Sequence, residues 1–375
     1  MEPQGRGSGA RHPGHLGFIE GMRGIAALYV VLQHVCTLID PYYKMQRPDA
    51  EPRWLAVVMA PMWYGHLAVA AFIVISGYCL QLSLYNKGDG RIASLKRFFA
   101  RRCQRILPPY YACLGLSLVI VWLVTSRQKG LPWSQYLPVT WENFLAHVFM
   151  VHNLRPEWMY KINGVLWSIS IEFQLYFLFP VLVVVLWRWG RAALMLPLLA
   201  LAVALLWAYA PAWKLYVWFI PLFGLGMAAA QLGFDPRVTT RGNYRAWMTI
   251  AGFFAVLTVA SIFAFKEVAA RDSLAGVAVA AILAAGAVAP RRRVFRFLGC
   301  KFLLWLGAFS YSLYLVHHLV LQVLYVTRPS GVDQVSEKWL YLMSMLPVVL
   351  LVCWVFYWFF ERPYAKAKPA AKRYP

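Results

Sequence analysis

Two polar residues on one long apolar segment are the first candidates for chemistry. Arg23 and His34 lie in the run RGIAALYVVLQHV, which is otherwise almost wholly apolar. On an α-helix, residues eleven positions apart share one face and are separated by about 16 Å along the axis. An ionisable group inside a membrane-length helix is costly, by about 2.5–3.5 kcal/mol on insertion scales for a charge at the centre, and is therefore a functional candidate.

A carboxylate and a second imidazole can lie at the same depth as this histidine. Glu172 lies in VLWSISIEFQLYF, about 10 Å from the start of its predicted helix, and His317 lies in FSYSLYLVHHL. We expect His34, Glu172 and His317 to share one level of the membrane. A neutral imidazole can act as a general base, and a carboxylate can orient it and stabilise its charged form. The alternative is that all three residues only make packing contacts.

A cluster of basic residues is the second candidate site. The stretch KRFFARRCQRILPPYY carries five cations just before an apolar segment. Arg102 and Arg105 are three positions apart, so on a helix they point the same way. Guanidinium groups bind phosphate through paired hydrogen bonds. The cluster therefore indicates either a site for a polyphosphate ligand or a basic anchor at the membrane surface.

The composition indicates an all-α polytopic membrane protein. Of the 375 residues, 61% are hydrophobic and only 14% are charged, whereas a soluble domain has about 25% charged residues. The net charge of +22 would suggest nucleic acid in a soluble protein. In a membrane protein it more often reflects basic cytoplasmic loops, so we expect the lipid bilayer and not nucleic acid as a partner. The expected location is the plasma or inner membrane, crossed several times.

The apolar segments predict about ten spanning helices of roughly 20 residues each. The segment 141–152 is too short to span, and we interpret it as a re-entrant or interfacial helix. If the N-terminus is cytoplasmic, the predicted cytoplasmic segments carry twice as many Lys and Arg residues as the outer segments, which favours both termini in the cytoplasm. The expected spans are 16–39, 64–86, 106–125, 165–187, 191–210, 214–233, 246–265, 273–290, 302–327 and 338–361.

One transmembrane domain accounts for nearly the whole chain. It is expected to cover 16–364, after a polar, Gly-rich tail over 1–15 that we expect to be disordered. The basic segment 365–375 is expected to lie on the anionic inner leaflet. No Cys and His spacing is typical of a zinc site, so no metal is expected.

In their joint order and spacing, the motifs resemble the acyltransferase-3 family of integral-membrane O-acyltransferases. The likeness covers residues 16 to about 364. It implies that an acyl group, by default acetyl, passes from cytoplasmic acyl-CoA to a hydroxyl of a sugar or another acceptor. Acyl-CoA would be a co-substrate, with no bound cofactor. The motifs are FIEGMRGIAALYVVLQHV at 18–35, FIVISGYCL at 72–80, RRCQRILPPYY at 101–111, LWSISIEFQLYFLFP at 166–180, LGAFSYSLYLVHH at 306–318 and FFERPY at 359–364.

The resemblance assigns roles to the two basic motifs. The family's pattern of Arg, ten residues and His falls on Arg23 and His34, and its Arg-x-x-Arg pair falls on Arg102 and Arg105. The resemblance implies that the histidine is essential for transfer. We expect the three arginines to bind the phosphates of acyl-CoA and His34 to act deeper, as the general base.

The third family pattern, Ser-x-Glu-x-x-x-Tyr, falls on Ser170, Glu172 and Tyr176. We expect Glu172 to orient His34, and we expect Ser170, Tyr176 and His317 to contact the acceptor or support the site. This sequence has HHL where a His-x-Pro is commoner in the family, which weakens the role of His317.

A polytopic transporter or flippase for a glycan-type substrate is the alternative function. Such a protein also buries ionisable residues in mid-membrane. It would not cleave a thioester, so release of free CoA separates the two functions.

Overall fold

The structure, a computed structural model, describes residues 14–209, 212, 214–240, 242–264 and 267–365. The tails predicted before residue 14 and after residue 365 lie outside these ranges. Within them the chain forms α-helices, short 3₁₀ turns and one π-helical turn at Tyr357–Glu361, without a β-strand. Since every backbone polar group must be satisfied inside a membrane, an all-helical chain is what the apolar composition requires.

Sixteen α-helices follow one another along the described chain. They are α1 (Gly14–Ile39), α2 (Arg53–Met59), α3 (His66–Tyr85), α4 (Leu95–Leu123), α5 (Trp141–Val148), α6 (Pro156–Met159), α7 (Leu166–Ala208), α8 (Phe219–Phe234), α9 (Tyr244–Ala264), α10 (Val268–Val288), α11 (Arg293–Leu298), α12 (Lys301–Ala308), α13 (Ser310–Val326), α14 (Val335–Ser344), α15 (Leu346–Phe356) and α16 (Arg362–Ala365).

The described residues contain seven helices that are long and apolar enough to cross a membrane. The pair α12 and α13, bent by 72°, makes an eighth if it counts as one span. The class, an all-helical multi-pass membrane protein, is therefore confirmed. The number of ten spans and the cytoplasmic position of both termini stay predictions.

Two local features explain why fewer spans are found than predicted. The predicted helices 165–187 and 191–210 run together in α7, which is broken at Gly190 by a non-helical backbone (φ 83, ψ −172). The predicted helix 214–233 is realised as the shorter α8, of 16 residues, which falls below the usual length of a span. Periodicity alone could not locate these helix ends.

A close helix contact lies beside the candidate site, where α3 packs against α8 and α10. A Cβ atom at Gly77 would overlap the carbonyl oxygen of Phe223, and one at Gly226 would overlap that of Val74. Small residues at such crossings let membrane helices approach closely. The glycines therefore fix how near α3 and α8 lie.

The start of α13, just after the bend from α12, is stabilised by a buried carboxylate. It falls at Phe309, after which α13 starts with backbone N–H groups that no helical carbonyl can satisfy. The buried carboxylate of Glu361 accepts one of them, from Ser312 N at 3.0 Å, and also the Ser312 hydroxyl at 2.6 Å. An acidic group at a helix N-terminus is favourable, so Glu361 stabilises the start of the helix that carries His317.

The segment 141–152 forms a short helix, α5, followed by a 3₁₀ turn at His152–Leu154. It packs onto two longer helices: Tyr110 OH on α4 donates to the carbonyl oxygen of His147 at 2.8 Å, and Gln174 on α7 donates to that of Met150 at 3.0 Å. Its length agrees with the prediction that it does not span the membrane. Whether it lies re-entrant or at the interface stays a prediction.

Candidate active site in two adjoining cavities

The predicted arginines meet in one cavity of about 270 Å³, here named the arginine cavity. Arg23 of α1 lines it together with Arg102 and Arg105 of α4, although these residues are far apart in sequence. Arg23 is also paired with Glu20 on the same helix, with Nη1 and Oε2 3.5 Å apart. Three guanidinium groups against two lining carboxylates, Glu20 and Glu172, leave a net positive charge, which suits an anion.

Glu172 also lines the arginine cavity. Its Oε1 atom accepts hydrogen bonds from Ser76 Oγ and from Tyr176 OH, each at 2.6 Å. The predicted contact with His34 is therefore replaced by contacts with α3 and with the next turn of α7. Glu172 therefore lies in the cavity that Arg23 of α1 lines, and not in the one that contains His34.

His34 lies in a second cavity of about 400 Å³, here named the histidine cavity. His66 and His318 line it as well. The two cavities adjoin, because Val69 and Tyr314 line both of them. The other residues of the histidine cavity are Val30, Gln33, Thr37, Pro41, Tyr43, Leu131, Pro132, Gln135, Tyr136, Tyr160, Gly164, Val165, Trp167 and Tyr216.

The hydrogen bonds of two histidines determine where their protons lie. His317 Nδ1 is 2.8 Å from the carbonyl oxygen of Leu313, and His34 Nδ1 is 3.0 Å from that of Val30. A carbonyl oxygen only accepts, so in both rings Nδ1 carries the hydrogen. His317 Nε2 is then an acceptor, and it receives a second hydrogen bond from His34 Nδ1 at 3.0 Å.

This arrangement leaves Nε2 as the unprotonated nitrogen of His34. A neutral imidazole has one donor and one acceptor nitrogen, and the donor is already used twice. His317 is the residue that sequence analysis expected at this level, and the structure brings it together with His34. It contacts His34 and does not itself line the histidine cavity.

Sequence analysis gave His318 no role. It used the HHL sequence, which stands where a His-x-Pro is commoner in the family, only as an argument against His317. The ring centroid of His34 is 4.9 Å from that of His317 and 4.8 Å from that of His318. His318 Nε2 also hydrogen-bonds Tyr136 OH at 3.1 Å. Consecutive residues on a helix point about 100° apart, so the two rings approach His34 from different sides.

Ser170 and Tyr176 do not contact His34 in the structure. Tyr176 lies in the arginine cavity, as described above. Ser170 is fully buried and lines neither cavity; its hydroxyl lies 3.3 Å from His152 Nδ1. The ring of His152 stacks on that of His147, with centroids 3.7 Å apart. Ser170 therefore connects α7 to the segment that follows α5.

Burial keeps this stacked pair neutral. Desolvation lowers the pKa of His147 to about 4 and lowers that of His152 well below its usual value. The positive charge that His147 would carry further disfavours protonation of His152. Both rings are therefore uncharged at neutral pH and act as hydrogen-bonding and packing groups.

Two further residues of the cavities escaped sequence analysis as chemical candidates. Ser76, in the motif FIVISGYCL, was given no chemical role there, yet its hydroxyl donates a hydrogen bond to Glu172. His66 follows an aromatic loop at the start of α3, and its partner Asp272 is 206 residues away. A polar residue at a helix end gives no sequence signal that separates it from a solvent-exposed residue.

Taken together, the cavities offer two complementary environments. The arginine cavity can bind an anionic group through Arg23, Arg102 and Arg105. The histidine cavity presents an imidazole whose Nε2 can take a proton. Arg23 and His34 lie on the same helix, about 16 Å apart along its axis, so one extended ligand could reach from one cavity into the other.

Comparison with known proteins gives a family match over most of the chain. A family model described as an acyltransferase domain matches residues 16–358. No solved structure matches the chain at a significant level.

Curated relatives match shorter parts. A Staphylococcus aureus (strain COL) protein named "Putative O-acetyltransferase" is 28% identical over 182 residues, which are 45% of this chain and 24% of that protein. A Streptomyces mycarofaciens protein named Acyltransferase MdmB is 25% identical over 164 residues, which are 43% of this chain and 38% of that protein. The alignments thus span well under half of the length of these relatives.

Proposed function

Because the chain belongs to the acyltransferase-3 family, we propose that it is a membrane-bound O-acyltransferase. It would move an acyl group, acetyl by default, from acyl-CoA to a hydroxyl of a sugar or another acceptor. The observation that carries the proposal is the junction of the two cavities at Val69 and Tyr314. One cavity has the charge that a CoA donor requires, and the other has the base that a hydroxyl acceptor requires.

The arginine cavity is the proposed donor site. Arg23, Arg102 and Arg105 would bind the phosphates of acyl-CoA, since guanidinium groups suit phosphate oxygens. Glu172 would limit the repulsion among these cations and hold Ser76 and Tyr176 in place. The catalytic support that sequence analysis assigned to Glu172 is thus proposed to act on the donor side, and Tyr176 belongs with it.

His34 is the proposed general base. Its Nε2 would take the proton of the acceptor hydroxyl while the acceptor oxygen attacks the thioester carbonyl carbon. The C–S bond then breaks, the ester is formed, and the proton passes to the CoA thiolate, so that free CoA leaves. His317 would keep Nε2 unprotonated by accepting the Nδ1 hydrogen of His34. Ser170 would support the site through His152.

The proposed setting is the plasma or inner membrane, with the donor cavity open to the cytoplasm. This assignment follows the excess of Lys and Arg residues in the segments expected on that side. The bilayer, acyl-CoA and a hydroxyl acceptor would then be the partners of the protein.

Release of free CoA from acetyl-CoA by the full chain in detergent tests this function. With pooled glycans as acceptor, we expect acceptor-dependent release by the wild type and a loss of at least about 10²-fold in His34→Ala. Arg97→Ala is the control, since Arg97 is exposed and lines neither cavity. Equal release by wild type and His34→Ala would exclude His34 as the base. Transport of a glycan without any CoA release would favour the transporter alternative.

A further inference from the structure

A buried carboxylate near the histidine cavity has no part in the reaction described so far. Asp272 of α10 is completely buried, within a helix long and apolar enough to span a membrane. A charged group in this position is expensive unless it is paired. Its two oxygens accept hydrogen bonds from Trp218 Nε1 at 2.9 Å and from His66 Nδ1 at 2.9–3.0 Å.

This pairing fixes the proton of His66. An ionised carboxylate only accepts, so His66 Nδ1 carries a hydrogen and points to Asp272. The ring is held in place by stacking on Trp167, with centroids 5.5 Å apart and planes at 16°, and on Tyr216, at 5.0 Å and 29°. The imidazole therefore cannot rotate without losing three contacts.

The other nitrogen of His66 is unsatisfied. In the described part of the chain, Nε2 is buried and has no hydrogen-bond partner. A ligand in the cavity that donates a hydrogen bond to this nitrogen would satisfy it. Because His66 lines the same cavity as His34, a molecule in that cavity could reach both imidazoles.

The remaining wall of the cavity determines the chemistry of that molecule. Among its described residues none is Lys, Arg, Asp or Glu, and most polar ones are neutral hydroxyl, amide or imidazole groups. Aromatic rings add apolar surface. Neutral donors and acceptors beside aromatic rings suit an uncharged ring that carries several hydroxyl groups.

We propose that His66, oriented by Asp272, binds a non-reacting hydroxyl of an uncharged, polyhydroxylated ring acceptor in the histidine cavity. His66 is then a specificity-determining residue, distinct from the base His34. This inference rests on the proposed function, because it names the binding group for the acceptor of that reaction. It requires that two hydroxyls of one acceptor lie between the two imidazoles.

The first test is binding, which does not depend on catalysis. The full chain in detergent is titrated with methyl α-glucoside, methyl α-mannoside and methyl α-galactoside by calorimetry. We expect at least one to bind the wild type and His34→Ala, and to bind His66→Phe at least tenfold more weakly. A failure of all three to bind the wild type would overturn the proposal, as would equal affinity in a folded His66→Phe.

The second test is the kinetics of transfer to the glycoside that binds. His66→Phe is expected to raise the acceptor KM at least tenfold and to leave the KM for acetyl-CoA and the acceptor-independent release of CoA unchanged. Arg97→Ala again serves as the control. Asp272→Asn, which keeps His66 but disturbs its orientation, should raise the same KM and covers the case in which His66→Phe fails to fold. A fall in kcat without a change in acceptor KM would contradict the proposal.

The two hypotheses fail in different ways. If glycosides bind through His66 but no CoA is released, the proposed O-acyltransferase function fails and the binding site stands. If CoA release depends on His34 but acceptors bind equally well without His66, only the inference about His66 is excluded.

Discussion

The hydrogen bonds of Nδ1 in His34 determine that Nε2, on the opposite side of the ring, is the nitrogen that can accept a proton. Nδ1 donates to the carbonyl oxygen of Val30 and to Nε2 of His317, each at 3.0 Å. His317 Nε2 can accept only because the hydrogen of that ring is on Nδ1, which donates it to the carbonyl oxygen of Leu313. This chain of hydrogen bonds makes His317 a positioning residue.

Replacing His317 should therefore lower the turnover number without weakening donor binding. For His317→Ala we expect kcat to fall about tenfold, the value of one hydrogen bond, with the KM for acetyl-CoA unchanged. His317→Gln should recover part of the loss, since its amide oxygen can accept from His34 Nδ1. The measurement is steady-state transfer by the purified proteins. A higher KM for acetyl-CoA, or no rescue by glutamine, would contradict a positioning role.

The arginines of the donor cavity make the second prediction at this scale. Arg102→Ala together with Arg105→Ala should raise the KM for acetyl-CoA by about 10- to 100-fold, because each removes a charged hydrogen-bond donor. Arg97→Ala is the matched control, since Arg97 is exposed on the same helix and does not line the cavity. If the double variant kept the wild-type KM for acetyl-CoA, the assignment of the arginine cavity as the donor site would be wrong.

At the scale of elements, the crossing of α3 and α8 determines the position of Ser76, which donates a hydrogen bond to the carboxylate of Glu172. Ser76 and Gly77 are neighbours on α3: one binds Glu172, and the other lies against the backbone of α8. A shift of α3 away from α8 would therefore move Ser76 within the arginine cavity.

Gly77→Ala should destabilise the protein and reduce its activity together. The added methyl group would overlap the backbone of Phe223, and overpacking of this kind costs about 1–3 kcal/mol. Gly252→Ala on α9 is the control, because a Cβ there meets nothing within 4 Å. Its stability should be unchanged or slightly higher, since alanine favours a helix over glycine. The check is thermal unfolding in detergent, and equal midpoints for the two variants would refute the close contact.

At the scale of the whole molecule, the charge asymmetry fixes an expected orientation. The basic segments 87–105 and 291–301 are both expected on the cytoplasmic side. They contain Cys103 and Cys300, which are partly exposed, as is Cys79 in the arginine cavity, whereas Cys36, Cys113 and Cys353 are buried. The native cysteines can therefore report the topology.

In a Cys79→Ser background, a membrane-impermeant maleimide should label Cys103 and Cys300 only after the membrane is opened. In intact spheroplasts of a bacterial host we expect little labelling, and after permeabilisation we expect labelling that the variant Cys103→Ser plus Cys300→Ser loses. The readout is a mass shift on a gel. Full labelling in intact spheroplasts would invert the proposed orientation and place the arginine cavity on the outer side.

The sequence by itself determined the class of the protein and the faces of single helices. Its apolar content requires helices in a membrane, and the spacing of Arg23 and His34 places both on one face of α1. The spacing of Arg102 and Arg105 likewise indicated a shared site, which they line in the structure. These properties follow from the period of the helix, which is local.

Only the tertiary structure decided which side chains meet across helices. Glu172 was expected beside His34 from its depth, but it faces Ser76, while His34 meets His317, 283 residues away in sequence. The pairing of His66 with Asp272 had no sequence signal at all. Depth along a helix can be counted from the sequence, but the direction in which a side chain points depends on how neighbouring helices cross, and that is set by contacts between residues distant in the chain.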